Sequence, residues 1–379
     1  MGSGAPVSRS HPKHHHPPSG PRRRSLLAAP LLLVGATGCG QRPAPAWDGG
    51  WVGAAHARGH RLRPGGAAAS GPASAVAPPP TTVQRCGVAI LGGGVAGLAA
   101  ARALTQAGID DLRLFELEDD AGGNARGHGM GGMACPLGAH YLPLPGPQAH
   151  EVAELLHALG LLRQELGRTV ADERHLCHSP QERLWSAGHW TEGLLPHAEP
   201  GSPADAQYRR FARLVADTSR QLAFALPTRR AGWTPGHAAL DGQTFAHWLD
   251  AQGLHDPGLR WYLDYACRDD YGAGMASVSA WAGLHYFASR HGFHAPGSDE
   301  AAEREGVFTW PEGNAWLTRR LAAPLGERLR PASVVLRVEA GRHAVDVDVW
   351  NARNQRNERW QAQQAVVCLP LHVAARVLA

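Results

Sequence analysis

A strand, a glycine turn and a helix written in one stretch, CGVAILGGGVAGLAAARAL at residues 86–104, constrain this chain more than any other feature. Val88–Leu91 is a short apolar run that stops at glycine, and Val95–Leu104 continues as an alanine-rich helical stretch. Gly92, Gly94 and Gly97 stand at the spacing GxGxxG, with Ala96 in the closing position before the last of them. The first glycine makes the tight turn and the second lets backbone approach a pyrophosphate. The third lets the helix pack on its strand, with helix-terminal N–H groups facing the phosphates. A second strand is predicted at Leu112–Leu117, and Glu116 closes it about 20 residues after the glycines. A carboxylate there accepts from both ribose hydroxyls and disfavours a 2′-phosphate. These residues predict an α/β unit that binds a dinucleotide.

Composition narrows the remaining classes. A chain of 379 residues is long enough for two domains or for one α/β domain with an insertion. The balance of 37 Lys+Arg against 33 Asp+Glu leaves a net charge of +4, with no long basic block outside the first 24 residues to track a phosphate backbone, so nucleic acid is not an expected partner. Nearly all the basic residues are arginine, and Lys13 is the only lysine, so Schiff-base and lysine proton chemistry are excluded downstream of it. The cysteines, Cys39, Cys86, Cys135, Cys177, Cys267 and Cys368, form no CxxC pair and no closely spaced framework, and no metal site is expected.

The N-terminus reads as an address. RRRSLLAAPLLLVGATGC at residues 22–39 places consecutive arginines before an apolar run too short to span a bilayer comfortably. Arg23 and Arg24 followed by Ser25, Leu26 and Leu27 resemble a twin-arginine translocation signal, with Arg22 where a small polar residue is usual. Ala36, Thr37, Gly38 and Cys39 resemble a bacterial lipoprotein processing site, which makes Cys39 a candidate for lipidation; ordinary signal cleavage or a retained anchor is the alternative. The expected partners are therefore the export machinery and, through Cys39, a membrane, with a periplasmic or membrane-anchored location. Residues 40–84 are dominated by Ala, Gly and Pro and are expected to form a disordered linker.

After Glu116 a second glycine pair, Gly122 and Gly123, lies within AspAspAlaGlyGlyAsnAlaArgGly at residues 119–127, where a nicotinamide enzyme is not expected to carry one. Together with the first turn and the strand-end Glu116, this resembles the flavin-containing amine oxidoreductase family. That family includes monoamine and polyamine oxidases, protoporphyrinogen oxidase and, more distantly, phytoene desaturases. The resemblance implies FAD, bound by a Rossmann-like α/β domain of the GR2 type with a largely helical substrate domain inserted. It also implies that Gly122 and Gly123 are the family's glycine pair at the FAD diphosphate, with Gly123 and Asn124 beside it; Asn124 stands where arginine is usual, and Arg126, two residues later, is inferred from the residues and not from the motif to bring the missing charge to a phosphate oxygen. ProLeuGlyAlaHisTyrLeuPro at 136–143 is similar to the family loop beside the flavin ring, which puts Gly138, Ala139, His140 and Tyr141 at the cofactor and makes His140 a candidate catalytic group.

Further along, apolar residues at 150–170 and 207–224 recur at helical spacing, and Trp281, Tyr286 and Phe287 suit a helical core better than a substrate cage. TrpProGluGlyAsnAlaTrpLeuThrArgArgLeu at 310–321 resembles the family's turn into a helix, and SerValValLeuArgVal at 333–338 its returning strand, where Val335 is the implied adenine-holding position. AlaValValCysLeuPro at 365–370 resembles the strand after which the family commonly carries a lysine; counting from Pro370 gives Arg376 as the candidate catalytic residue in its place. The family's C-terminal FAD segment is expected to be missing. The division read from these features is a signal at 1–39, a linker at 40–84, the first part of the FAD-binding domain at 85–145, a mostly helical substrate domain at 146–305 and an incomplete return to the FAD-binding domain at 306–379. The expected activity is oxidation of a C–H bond (CH–NH or CH–CH) in a small amine or apolar substrate by hydride transfer to FAD. The alternatives are a carotenoid-type desaturase or isomerase, and a non-catalytic flavin-fold envelope lipoprotein.

Overall fold

The computed structural model describes residues 50–63, 83–178, 182–186, 188–290, 292–295 and 306–379. The description below concerns the compact unit Trp51–Ala379; the export signal and Cys39 lie outside the described residues.

A six-stranded sheet organises the unit. The strands run, in spatial order, Leu329–Arg330, β2 (Leu112–Phe115), β1 (Val83–Leu91), Arg356–Val367, Val345–Asn351 and Ser333–Ala340. The first four are mutually parallel and the last three form an antiparallel meander. Alternation along β1 explains its place at the centre. Val88 and Ile90 point into the cluster with Leu98, Ala101, Leu112 and Leu114, on the side of the helix Val95–Gln106. Ala89 and Leu91 point the other way, into the cluster with Phe115, Val335, Val347, Val349 and Trp360. A parallel strand buried on both faces reads as a continuous apolar run, as this one does.

A second core is helical. The helices Pro203–Gln221, Phe245–Ala251, Pro257–Tyr271 and Ala280–Ala288 pack around Phe211, whose ring meets Phe245, Phe287 and Phe293. Ser202, Asp256 and Ser279 cap three of these helices through side-chain acceptors, and proline follows the cap in two of them. Phe287 is buried here as core, and Tyr286 packs against the same cluster.

Two stretches differ from the sequence expectation. The helical spacing of 150–170 holds only for His150–Ala158. Leu162–Glu165 and Arg168–Ala171 pair as a hairpin, because Leu166 (φ 48°) and Gly167 (φ 75°) between them both take the left-handed conformation of a tight two-residue turn. Within the span expected as a linker, Trp51–Arg63 is instead packed, with a helical turn at His56–Gly59 and a 3-10 turn at His60–Leu62, because Leu62 joins the Phe115–Val335 cluster and Arg58 and Arg61 find partners on the sheet unit.

Candidate functional site

The site is built where β1 and β2 end. Gly92 donates its N–H to Phe115 O at 2.9 Å, which turns the chain sharply off the sheet. A Cβ on Gly97 would stand 1.9 Å from Gly92 O, so only glycine lets the helix sit this close to its own strand. Gly94 occupies the cap position of Val95–Gln106 without any side-chain cap, leaving the positive end of the helix dipole for an external anion. The second glycine pair closes on the first turn. Gly122 donates to Gly93 O at 2.7 Å and forms a bridge with Gly94. Gly123 has φ +55°, and a Cβ there would come within 2.9 Å of Gly94 Cα. Two glycine stretches 28 residues apart, as Gly94 and Gly122 are paired, thus make one cradle, with a Cβ excluded at Gly97 and Gly123.

Glu116 lies at its edge, 7% exposed. Its Oε2 accepts from the Gly93 N–H and its Oε1 from the Glu118 N–H, each at 2.8 Å. Burial pushes the carboxyl above its ordinary 4.5, opposed by those two backbone donors and by Arg126. Each carboxylate oxygen has a second lone pair, so ribose hydroxyls can still be accepted. Arg126 is tied locally: Nε donates to Gly123 O at 3.1 Å and Nη1 lies 3.6 Å from Glu118. Its charge offsets Glu118.

Asn124 sets the position of the loop expected beside the flavin. Its carbonyl accepts from the Ala139 N–H at 2.9 Å, and a Cβ on Gly138 would strike that carbonyl at 2.3 Å. His140 and Tyr141 stand exposed at the end of this loop, their rings edge to face with centroids 4.9 Å apart. The Tyr141 phenol is raised above its ordinary value, mainly by burial and then by Asp269 and Glu182, with Arg290 opposing and Asp270 adding to the rise. Asp269 and Asp270 belong to the helix Pro257–Tyr271, and Asp270 is ion-paired with Arg290 at 2.8 Å.

Three residues that hold this arrangement were not singled out individually from sequence. Gly313 presses on the loop, since a Cβ there would meet Pro136 Cβ at 2.6 Å and Ala139 O at 3.0 Å. Asn314 donates its N–H to Ala139 O at 3.1 Å and its Nδ2 to Tyr141 O at 2.9 Å. Thr318 donates to Ala125 O at 3.4 Å. The signal for all three was the ProGluGlyAsn turn at 311–314 leading into the helix Ala315–Ala322.

Val335 is buried on Ser333–Ala340, a strand whose start is fastened to the carboxylate loop by Ser333 N–H to Glu116 O and Ala332 N–H to Glu118 O, both 2.7 Å. Arg376 is not brought to the His140 loop: its Nη1 reaches Leu62 O at 3.4 Å, because the helix Leu371–Val377 packs back on the Val335 strand and the segment ending at Arg63. An open cleft of about 580 Å³ beside Arg209, Arg213 and His294 contains none of these residues. Among the described residues no cluster of metal-ligating side chains occurs and no helix is long and apolar enough to cross a membrane.

A parallel sheet with a glycine turn at the carboxyl end of its central strand, a second glycine pair folded onto it and a buried strand-end carboxylate define a dinucleotide-binding flavoprotein. The model of the family described as flavin containing amine oxidoreductase matches residues 95–379, and the chain belongs to that family. Its cofactor is FAD, and the glycine cradle fits it. A coproporphyrinogen III oxidase of Mycobacterium leprae (strain TN) is 36% identical over 197 residues, covering 50% of this chain and 40% of that protein. Wild-type putrescine oxidase bound to putrescine superposes with a TM-score of 0.59 at 22% identity, covering 78% of this chain and 60% of that one. Cyclohexylamine oxidase from Brevibacterium oxydans IH-35A gives 0.56 at 20% identity, over 77% and 59%. The chain spans less than two thirds of the length of each of these relatives.

Proposed function

We propose that this amine-oxidase-family flavin oxidoreductase holds FAD in a GR2-type unit, with Gly92, Gly94, Ala96 and Gly97 at the diphosphate, Glu116 at the ribose, Val335 at the adenine and Gly123, Asn124 and Arg126 closing the cradle. It oxidises a small amine at a CH–NH bond. The observation that carries the FAD-binding part is the single cradle formed by the two glycine stretches, with Glu116 buried at its edge. Bound FAD supplies a hydride acceptor. The chain supplies position and charge. Gly138, Ala139, His140 and Tyr141, laid down along Asn124, bring an exposed imidazole and phenol to the side of the cradle. Asp269 and Glu182 act on Tyr141 through their charge, while Arg290 offsets Asp270 at 2.8 Å, and the two carboxylates favour a cationic substrate over a neutral one. His140 takes a proton from the substrate ammonium, a task that no lysine beyond Lys13 can share. The similarity in fold to a putrescine oxidase and a cyclohexylamine oxidase supports the amine, and the similarity in sequence to a coproporphyrinogen III oxidase makes a porphyrinogen the second candidate. The arginine pair Arg23 and Arg24 and the Cys39 site support export and lipid attachment of the protein ahead of the compact unit that starts at Trp51.

The test is anaerobic mixing of the purified full-length protein with monoamines, diamines and a porphyrinogen while the visible flavin band is followed. Bleaching by amines supports the reading. A bound flavin that no amine bleaches rules out amine oxidation.

A further inference from the structure

We propose that Trp51–Arg63 is a clasp that closes the adenosine end of the FAD site and retains the cofactor. The proposal rests on the FAD reading above.

The segment is fastened to both halves of the nucleotide unit. On the first half, Gly53 lies against Leu137, the residue before Gly138. The Ala55 N–H donates to Glu118 Oε2 at 2.8 Å. Arg58 donates to Leu117 O at 3.1 Å and to Asp119 at 2.9 Å. On the returning half, the Arg61 guanidinium stands 3.5 Å from the centroid of the Trp350 ring, on the strand Val345–Asn351. Leu62 packs into the apolar cluster that contains Val335, and its carbonyl accepts from Arg376. The clasp therefore runs from the residues that follow Glu116 to the cluster around Val335, the two sides between which the adenosine would lie.

Charge explains why a cofactor site of this composition needs such a segment. Glu116, Glu118, Asp119 and Asp120 put four carboxylates within five residues, beside the place of a doubly charged pyrophosphate. Like charges at that density oppose an anionic ligand. Arg126 offsets Glu118, and Arg58, from the clasp, offsets Asp119. Removing the clasp removes a cation from the acidic rim and a wall from the adenosine end together.

The test uses the full chain loaded with FAD and its Arg58→Ala/Arg61→Ala variant, with flavin release followed by fluorescence after dilution. Arg58→Lys, which keeps the charge and loses the two-point reach, serves as the milder variant. Release should quicken by about tenfold in the double variant, as expected from losing one charge-assisted contact and one cation–π contact, and less in Arg58→Lys. Unchanged release overturns the clasp, and so does slower release or tighter binding, which would show the segment competing with FAD. An unaltered chain that holds no FAD at all overturns the FAD reading itself, and the clasp with it.

Discussion

Gly97→Ala is a one-carbon change whose effect can be worked from the structure. The added Cβ would lie 1.9 Å from Gly92 O, about 1.5 Å inside the 3.4 Å at which ordinary contact begins. The atom it meets is backbone of the turn, so the helix Val95–Gln106 or the turn itself must move. Alanine's better helix propensity returns ~1 kcal/mol, while overpacking of this kind costs about 1–3 kcal/mol; the net loss of stability is therefore about 0–2 kcal/mol. The larger effect falls on the ligand, because a shift of an ångström carries the helix terminus away from the diphosphate and separates Gly94 from Gly122. Flavin affinity should fall by at least about a hundredfold, on the scale of losing two hydrogen bonds to a charged group. The assay is flavin content and calorimetric affinity of the purified variant. Gly129→Ala is the control, since a Cβ there meets nothing within 4 Å. A Gly97→Ala protein that binds FAD as tightly as the control would refute the cradle.

Glu116→Gln turns an acceptor of two backbone N–H groups into an amide with one carbonyl oxygen; FAD affinity should drop about tenfold, read by titration. Because burial raises the Glu116 carboxyl above 4.5, its contribution to stability is fullest below that value and is lost as pH rises through the folded value. Denaturation midpoints from pH 4 to 8 should show this fall, and Glu116→Gln should remove it. His140→Gln should retain flavin, since the loop is held by its backbone, yet reduce amine turnover by roughly a hundredfold in stopped-flow reduction. Arg23→Lys/Arg24→Lys should keep the protein in the cytoplasm of a bacterial host, and Cys39→Ala should abolish incorporation of labelled fatty acid; fractionation and labelling check both.

The glycine turn was legible in the sequence because its first contacts are local: the Gly92 N–H answers to the next strand at Phe115 and Gly97 to the backbone of Gly92. The strands from Ser333 onward were legible for the same reason, through alternation at 344–350. What escaped depended on distant partners. Trp51–Arg63 has the composition of a tether, and only its partners at Leu117, Asp119, Trp350 and Val335 order it. Arg376 was placed by counting, which ignores that its helix folds back on Leu62. The hairpin at 162–171 escaped because helical and strand periodicities share its apolar residues, and the left-handed Leu166 carries no sequence signal.

The central claim is that the two glycine stretches and Glu116 form an FAD site, and direct titration of flavin-stripped full-length protein with FAD tests it most plainly. The account predicts one FAD per chain, saturable, with NADP unable to compete because Glu116 closes β2. No binding of FAD, or equal binding of NADP, would contradict it.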